Sequence, residues 1–170
     1  MHARRATIAF ATLFFLFASA ADSRGQTVTV PLGSGSASIT FPTTWKVSSV
    51  KRGPEAKTKD DEVYVWAEAV NDANFPTIMK EHEEYFTGQN VALKGPPKTE
   101  TRKVNGLTMT VIEAQATWKG APTMLQYLIV DPGFPSGWKL MLTEWASPEG
   151  DRQYQKDLDS IQNSLVFSAR

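Results

Sequence analysis

The chain contains no cysteine, which removes disulfides, thiolate metal centres and thiol nucleophiles together. Histidine is almost as scarce. Of two in the chain, His2 falls in a leader-like segment, so His82 stands alone in the remainder. Zinc sites made from several histidines, and two-histidine iron or copper sites, therefore cannot be assembled. An excess of one charge is missing as well: 18 basic residues face 18 acidic ones. Nucleic acids and anionic lipid surfaces are bound by clustered Lys and Arg that displace counterions, and interspersed charges of both signs offer little of that attraction. No feature of the composition calls for a cofactor.

Long apolar runs are also short of what a membrane requires. Met1 to Arg5 is positive, Ala6 to Phe17 is uncharged and rich in Phe, Leu, Ile and Ala, and Ala18-Ser19-Ala20 is a small-residue exit. This three-part layout is that of a secretory signal peptide, and its apolar run falls below the ~20 residues of a spanning helix. Cleavage is expected between Ala20 and Ala21, giving a periplasmic or secreted product with no stable membrane insertion; retention as an N-terminal anchor is the alternative. The leader occupies residues 1–20 and one domain occupies 21–170. Without Arg4 and Arg5 that domain carries 16 basic and 18 acidic residues, a net charge of about −2. A domain of this size buries about 70% of its unfolded surface, enough for a single core without staples.

Two alternating runs, Val28-Val30-Leu32 and Ala37-Ile39-Phe41, flank Gly33-Ser34-Gly35 and predict a hairpin. Trp45 is expected to pack back on the core, and the charged stretch Lys51 to Asp61, with Gly53-Pro54, reads as a surface loop. Val63 to Val70 is apolar on both parities except at Glu68, as in a strand covered on both faces. Asn74, Pro76 and Gly88 bracket a helix whose inner positions are Phe75, Ile78, Met79, His82 and Phe86. A second helix is expected from Ser147-Pro148, with Tyr154, Leu158, Ile161 and Leu165 inward. Between them, Lys98 to Ala146 reads as a run of strands joined by Asn105-Gly106, Lys119 to Pro122, and Pro132 to Gly137. The expected fold is α+β: an antiparallel sheet of about six strands carrying two main helices.

Loops of those lengths pair Glu113 with Leu128 and Leu128 with Met141. That register gives one apolar face and one mixed face bearing Glu113, Gln115, Gln126 and Thr143. These four are the candidate binding residues, for a small ligand or a cation. Glu68, Glu113 and Glu144 sit in apolar strands where desolvation can raise a carboxyl pKa, yet this register sends Glu113 and Glu144 to opposite faces, and no catalytic pair results. His82 has no carboxylate three or four residues away on its helix, so it reads as a core-margin residue. Gly33-Ser34-Gly35 joins two strands, which suits neither a nucleophile elbow nor a phosphate cradle. Asp60-Asp61-Glu62 lacks the spaced oxygen ligands of a calcium loop. No catalytic residue and no metal ligand is assigned.

Phe41-Pro42-Thr43-Thr44-Trp45 after a short strand, with Ile161-Gln162-Asn163-Ser164-Leu165 near the end, resembles the PsbP-like superfamily, including its exported bacterial DcrB-like members. Thr44 stands where many relatives carry glycine, and Leu165 where phenylalanine is common. The resemblance spans Thr27 to Phe167. It implies an α/β/α sandwich around an antiparallel sheet, and an accessory or protein-interaction role without catalysis, directed at a protein or envelope component. It transfers no functional residue. The rival expectation is a ligand-binding protein or hydrolase using the mixed sheet face around Glu113 and Gln126; a third, drawn from the five Trp, is a structural role in an oligomer.

Overall fold

The computed structural model describes residues 25–50, 53–104 and 106–169; the leader and its cleavage point at Ala20 and Ala21 lie outside them. The first hairpin forms as its alternation predicts, with β1 (Gln26–Leu32) and β2 (Gly35–Phe41) antiparallel from Gln26–Phe41 to Leu32–Gly35. Its two-residue turn puts Gly33 at φ +62°, a conformation that glycine adopts without a Cβ clash. Val30, Leu32, Ala37, Ile39 and Phe41 all turn inward. A last short strand, β11 (Val166–Ala169), pairs with the other side of β2 and completes a three-stranded sheet.

The main sheet has eight strands rather than about six. They are β3 (Lys46–Val50), β4 (Gly53–Lys57), β5 (Val63–Val70), β6 (Val91–Leu93), β7 (Lys98–Val104), β8 (Leu107–Trp118), β9 (Ala121–Val130) and β10 (Lys139–Ala146). Their order is β3-β4-β5-β10-β9-β8-β6, with β7 also on β8. At twelve residues, β8 is long enough for β6 and β7 to pair with it in succession. The strands missing from the sequence reading are those with little apolar alternation. Gly53–Lys57, expected as loop, is a strand although it contains glycine, proline and two charges. Pro54 is tolerated because β4 pairs with β5 only from Glu55 onward, so its missing N–H costs no bond on that side.

Both faces of this sheet are covered. On one face Val63, Val65, Val111, Leu128, Leu140 and Leu142 pack against the small sheet and against α2 (Pro148–Asn163) through Leu158 and Ile161. On the other, Val70, Ala114, Leu125, Met141 and Trp145 pack against α1 (Phe75–Gly88) through Ile78 and Phe86. The α+β class is as expected, with the second sheet as an addition to the α2 layer. Trp45 is buried as anticipated, lies edge-on to Tyr154 and donates its indole N–H to Asp157 at 2.9 Å.

The two helix starts differ. Asn74 precedes α1 but makes no side-chain cap; its Oδ1 accepts the N–H of Asn71 instead. Ser147 does cap α2, its Oγ accepting the Gly150 N–H at 2.9 Å while its hydroxyl donates to Glu62. Gly150 is required here because a Cβ would press on the Glu62 carbonyl at 2.8 Å. Replacing a capping serine by alanine costs about 1 kcal/mol. Ser147→Ala is therefore expected to lower the unfolding free energy by that amount, seen in equilibrium urea unfolding as a lower midpoint with an unchanged m-value.

Candidate functional site

Strand register decides which polar side chains meet. The β8–β9 turn consists only of Lys119 (φ +50°) and Gly120 (φ +86°), so Trp118 pairs with Ala121 and Glu113 with Gln126, not with Leu128. Between β9 and β10 an odd number of residues separates Val130 from its partner Leu140, and Leu128 therefore faces Leu142 instead of Met141. This one-residue change turns β10 over. Glu144 now pairs with Gln126 and shares a face with Glu113, which corrects the expectation that the two acids point apart. Thr143 moves to the opposite face, and Gln115 is exposed near the end of β8.

Glu113, Gln126 and Glu144 thus form a row across three strands, beneath the edge of α2. Gln126 donates to Glu113 at 3.0 Å and accepts from Arg102 of β7 at 3.2 Å; Arg102 also reaches Gln162 of α2 at 3.4 Å. Burial pushes the Glu144 carboxyl up to about 8, with the neighbouring Asp151 carboxylate as the next cause and Arg102 opposing. Asp151, in the first turn of α2, is itself raised, first by burial and then by Glu113. The mixed face is therefore a polar seam between sheet and helix. Of the four candidate residues it unites only Glu113 and Gln126.

Because the folded-state pKa of Glu144 lies above the ordinary 4.5, its contribution to stability is full below that value. It is lost as pH rises through about 8. Each unit of displacement carries about 1.4 kcal/mol, so the loss amounts to several kcal/mol. Glu144→Gln keeps the shape and removes the ionisation. It should match the parent near pH 5 and melt at a higher temperature than the parent above pH 8, measured by thermal unfolding followed by circular dichroism.

The second polar cluster lies under α1 and was not legible from the helix alone. The His82 Nε2 and Glu68 Oε2 are 2.6 Å apart, both side chains being buried to within 6% exposure. The carboxylate comes from β5, across the layer interface, where no helical spacing could reveal it; the sequence clue was the lone acid in an apolar strand. The buried Nδ1 has no hydrogen-bond partner among the described residues. The His82 ring also lies 5.8 Å from Tyr127, whose hydroxyl is pushed up to about 12 by burial and then by Glu68. Thr143 sits on this same face between Trp66 and Tyr127, with its buried Oγ1 likewise unpartnered among the described residues.

Beside this cluster the β4–β5 pairing stops at Glu55–Trp66, and a cavity of about 600 Å³ opens between β4, β5 and α1. Trp66, Tyr85, Phe86, Ile78 and Pro54 supply most of its apolar wall, and His82 lines it. Trp66 lies edge-on to both Tyr85 and Phe86. Its indole N–H is taken by Glu55 at 2.9 Å, and its ring stacks on Tyr64. No group of three or more His, Asp or Glu able to hold a metal occurs among the described residues.

No family model and no curated protein matches the sequence. Solved structures do match in fold. Cyanobacterial PsbP (CyanoP) from Synechocystis sp. superposes with a TM-score of 0.58 at 10% identity, over 87% of this chain and 95% of that one. LpqN of Mycobacterium tuberculosis, described as involved in cell envelope biogenesis, gives 0.56 at 11% identity over 84% of this chain and 91% of that one. A Bacteroides thetaiotaomicron protein gives 0.56 at 13% identity over 86% of this chain and 49% of its own length. The chain has the PsbP-like fold that its sequence resembles.

Proposed function

We propose that this protein is an exported accessory domain that acts by non-covalent contact with a protein or envelope component, without catalysis of its own. The observation that carries the reading is the closure of the polar seam. Gln126 is bonded to Glu113 and to Arg102, Arg102 to Gln162 of α2, and Glu144 meets Asp151 of α2, so the groups best suited to acid and base chemistry are engaged with neighbours inside the fold. The leader supports export to the periplasm or beyond. No helix among the described residues is long and apolar enough to cross a membrane. The shared fold with CyanoP and LpqN, the latter tied by description to the cell envelope, agrees with an accessory role.

A ligand-binding or hydrolytic role for the sheet face around Glu113 and Gln126 is the weaker reading, because α2 lies over that face. For surface contact, Leu93 and Trp118 at the β6 edge are the large apolar side chains displayed together, at 59% and 39% exposure. A photo-crosslinking residue at Leu93, in the full chain expressed in its source organism, should give one saturable adduct. The same residue at exposed Lys156 on α2 should give none. Equal, non-saturable labelling from both positions would contradict the proposal.

A further inference from the structure

We infer that the free edge of β7 is a docking surface for a second copy of this chain, which adds its own β7 antiparallel about a twofold axis through Thr101. The first observation is the direction of the backbone groups. Trp118 and Ala121 flank the two-residue β8–β9 turn and exchange both their bonds, so the even-numbered residues of β8 bond to β9 and the odd-numbered ones point the other way. The Lys94 N–H, which donates to the Gln115 carbonyl of β8 at 2.8 Å, agrees with that direction. Through the β7–β8 register, Lys98, Glu100 and Arg102 are then bonded to β8, and Thr99, Thr101 and Lys103 aim their N–H and C=O groups away from the sheet. No strand among the described residues pairs with that side, and all three residues are exposed.

The second observation selects the occupant. An open edge is a template for another strand unless its charges forbid the pairing. Pairing β7 with itself about Thr101 overlaps the whole of Lys98–Val104, sets Thr99 against Lys103, and sets Glu100 against Arg102 on both sides of the axis. Glu100 and Arg102 then form a non-hydrogen-bonded pair, the arrangement that brings side chains closest. Arg102 is already held in place by Gln126 and Gln162. Neighbouring registers fail. An axis at Glu100 sets that acid against itself and Lys98 against Arg102, and axes at Arg102 or Lys103 set like cations together. An axis at Thr99 calls for an N–H from Pro97, which has none. This surface is on a different strand from Leu93, so failure of either reading leaves the other standing.

The chain has no cysteine, so a single introduced thiol reports the pairing without background. Two copies of Thr101 on the axis stand about 5.5 Å apart at Cα, a span that a disulfide bridges, whereas two copies of Thr99 stand about 14 Å apart along the ribbon. In the full chain, expressed with its leader and purified, Thr101→Cys should give a covalent dimer under mild oxidation and Thr99→Cys should stay single. In sedimentation at about 0.1 mM the parent should approach the mass of two chains. Thr101→Pro removes an outward N–H and leaves the bonds to β8 intact; it should sediment as one chain with an unchanged circular dichroism spectrum. Glu100→Lys, which sets a lysine against Arg102 twice, should weaken association severalfold. A parent of one-chain mass at that concentration, equal crosslinking from the two cysteines, a Thr101→Pro variant that still pairs, or a strand of an unlike protein trapped at Thr101→Cys in place of the second copy would overturn the assignment.

Discussion

The contact on which the α1 side of the molecule depends is the 2.6 Å approach of His82 to Glu68. A carboxylate in the middle of a doubly covered strand would be costly to bury alone. His82 arrives from the overlying helix at the point where the acid can be paired. Because the pair is buried, removal of either member would leave the other uncompensated, and such losses are much larger than those of surface ion pairs. The pair sets the height and rotation of α1 over β5. Ile78 and Phe86, one turn to either side of His82, then fall on the aromatic slab formed by Tyr64, Trp66 and Trp145.

A second constraint follows from the absence of cysteine. With no covalent staple, the main sheet must be buried on both faces, and it is: β10 is inward-packed along nearly its whole length. Two layers of different construction do the covering. α1 lies over an aromatic face, whereas α2 and the three-stranded sheet lie over an aliphatic one. Among the described residues, the buried ionisable side chains lie along two lines. One is the Glu113–Gln126–Glu144 row under the edge of α2; the other is the Glu68–His82 pair under α1. Of the five Trp, Trp45 and Trp138 lie in or against the aliphatic core and Trp66 and Trp145 in the aromatic cluster, while Trp118 packs edge-on against Trp145 and stays 39% exposed.

Much of the framework was legible in the residues. The β1–β2 hairpin, the doubly buried β5, the Pro-initiated helices and the Ser147 cap all announce themselves by local chemistry, and the superposition on CyanoP and LpqN agrees with the resemblance drawn from Pro42-x-x-Trp45 and the C-terminal helix. The failures are those of register and of non-local pairing. A turn of two residues in place of four kept Glu113 on its face but changed its partner, and a shift of one residue reversed β10, bringing Glu144 to Glu113 and carrying Thr143 away. β4 was hidden because glycine, proline and charge signal a loop. The partner of His82 was hidden because it lies on another element, and the cavity because it is lined by three elements, β4, β5 and α1.

The account stands most directly on the energetic coupling between His82 and Glu68. A double-mutant cycle with Glu68→Ala, His82→Ala and the combined variant, measured by urea unfolding, should show a large cost for each single change and a coupling of about 1–3 kcal/mol, the double variant losing far less than the sum. Strict additivity would mean that the two side chains do not hold α1 to the sheet, and the architecture of the α1 side as described would be contradicted.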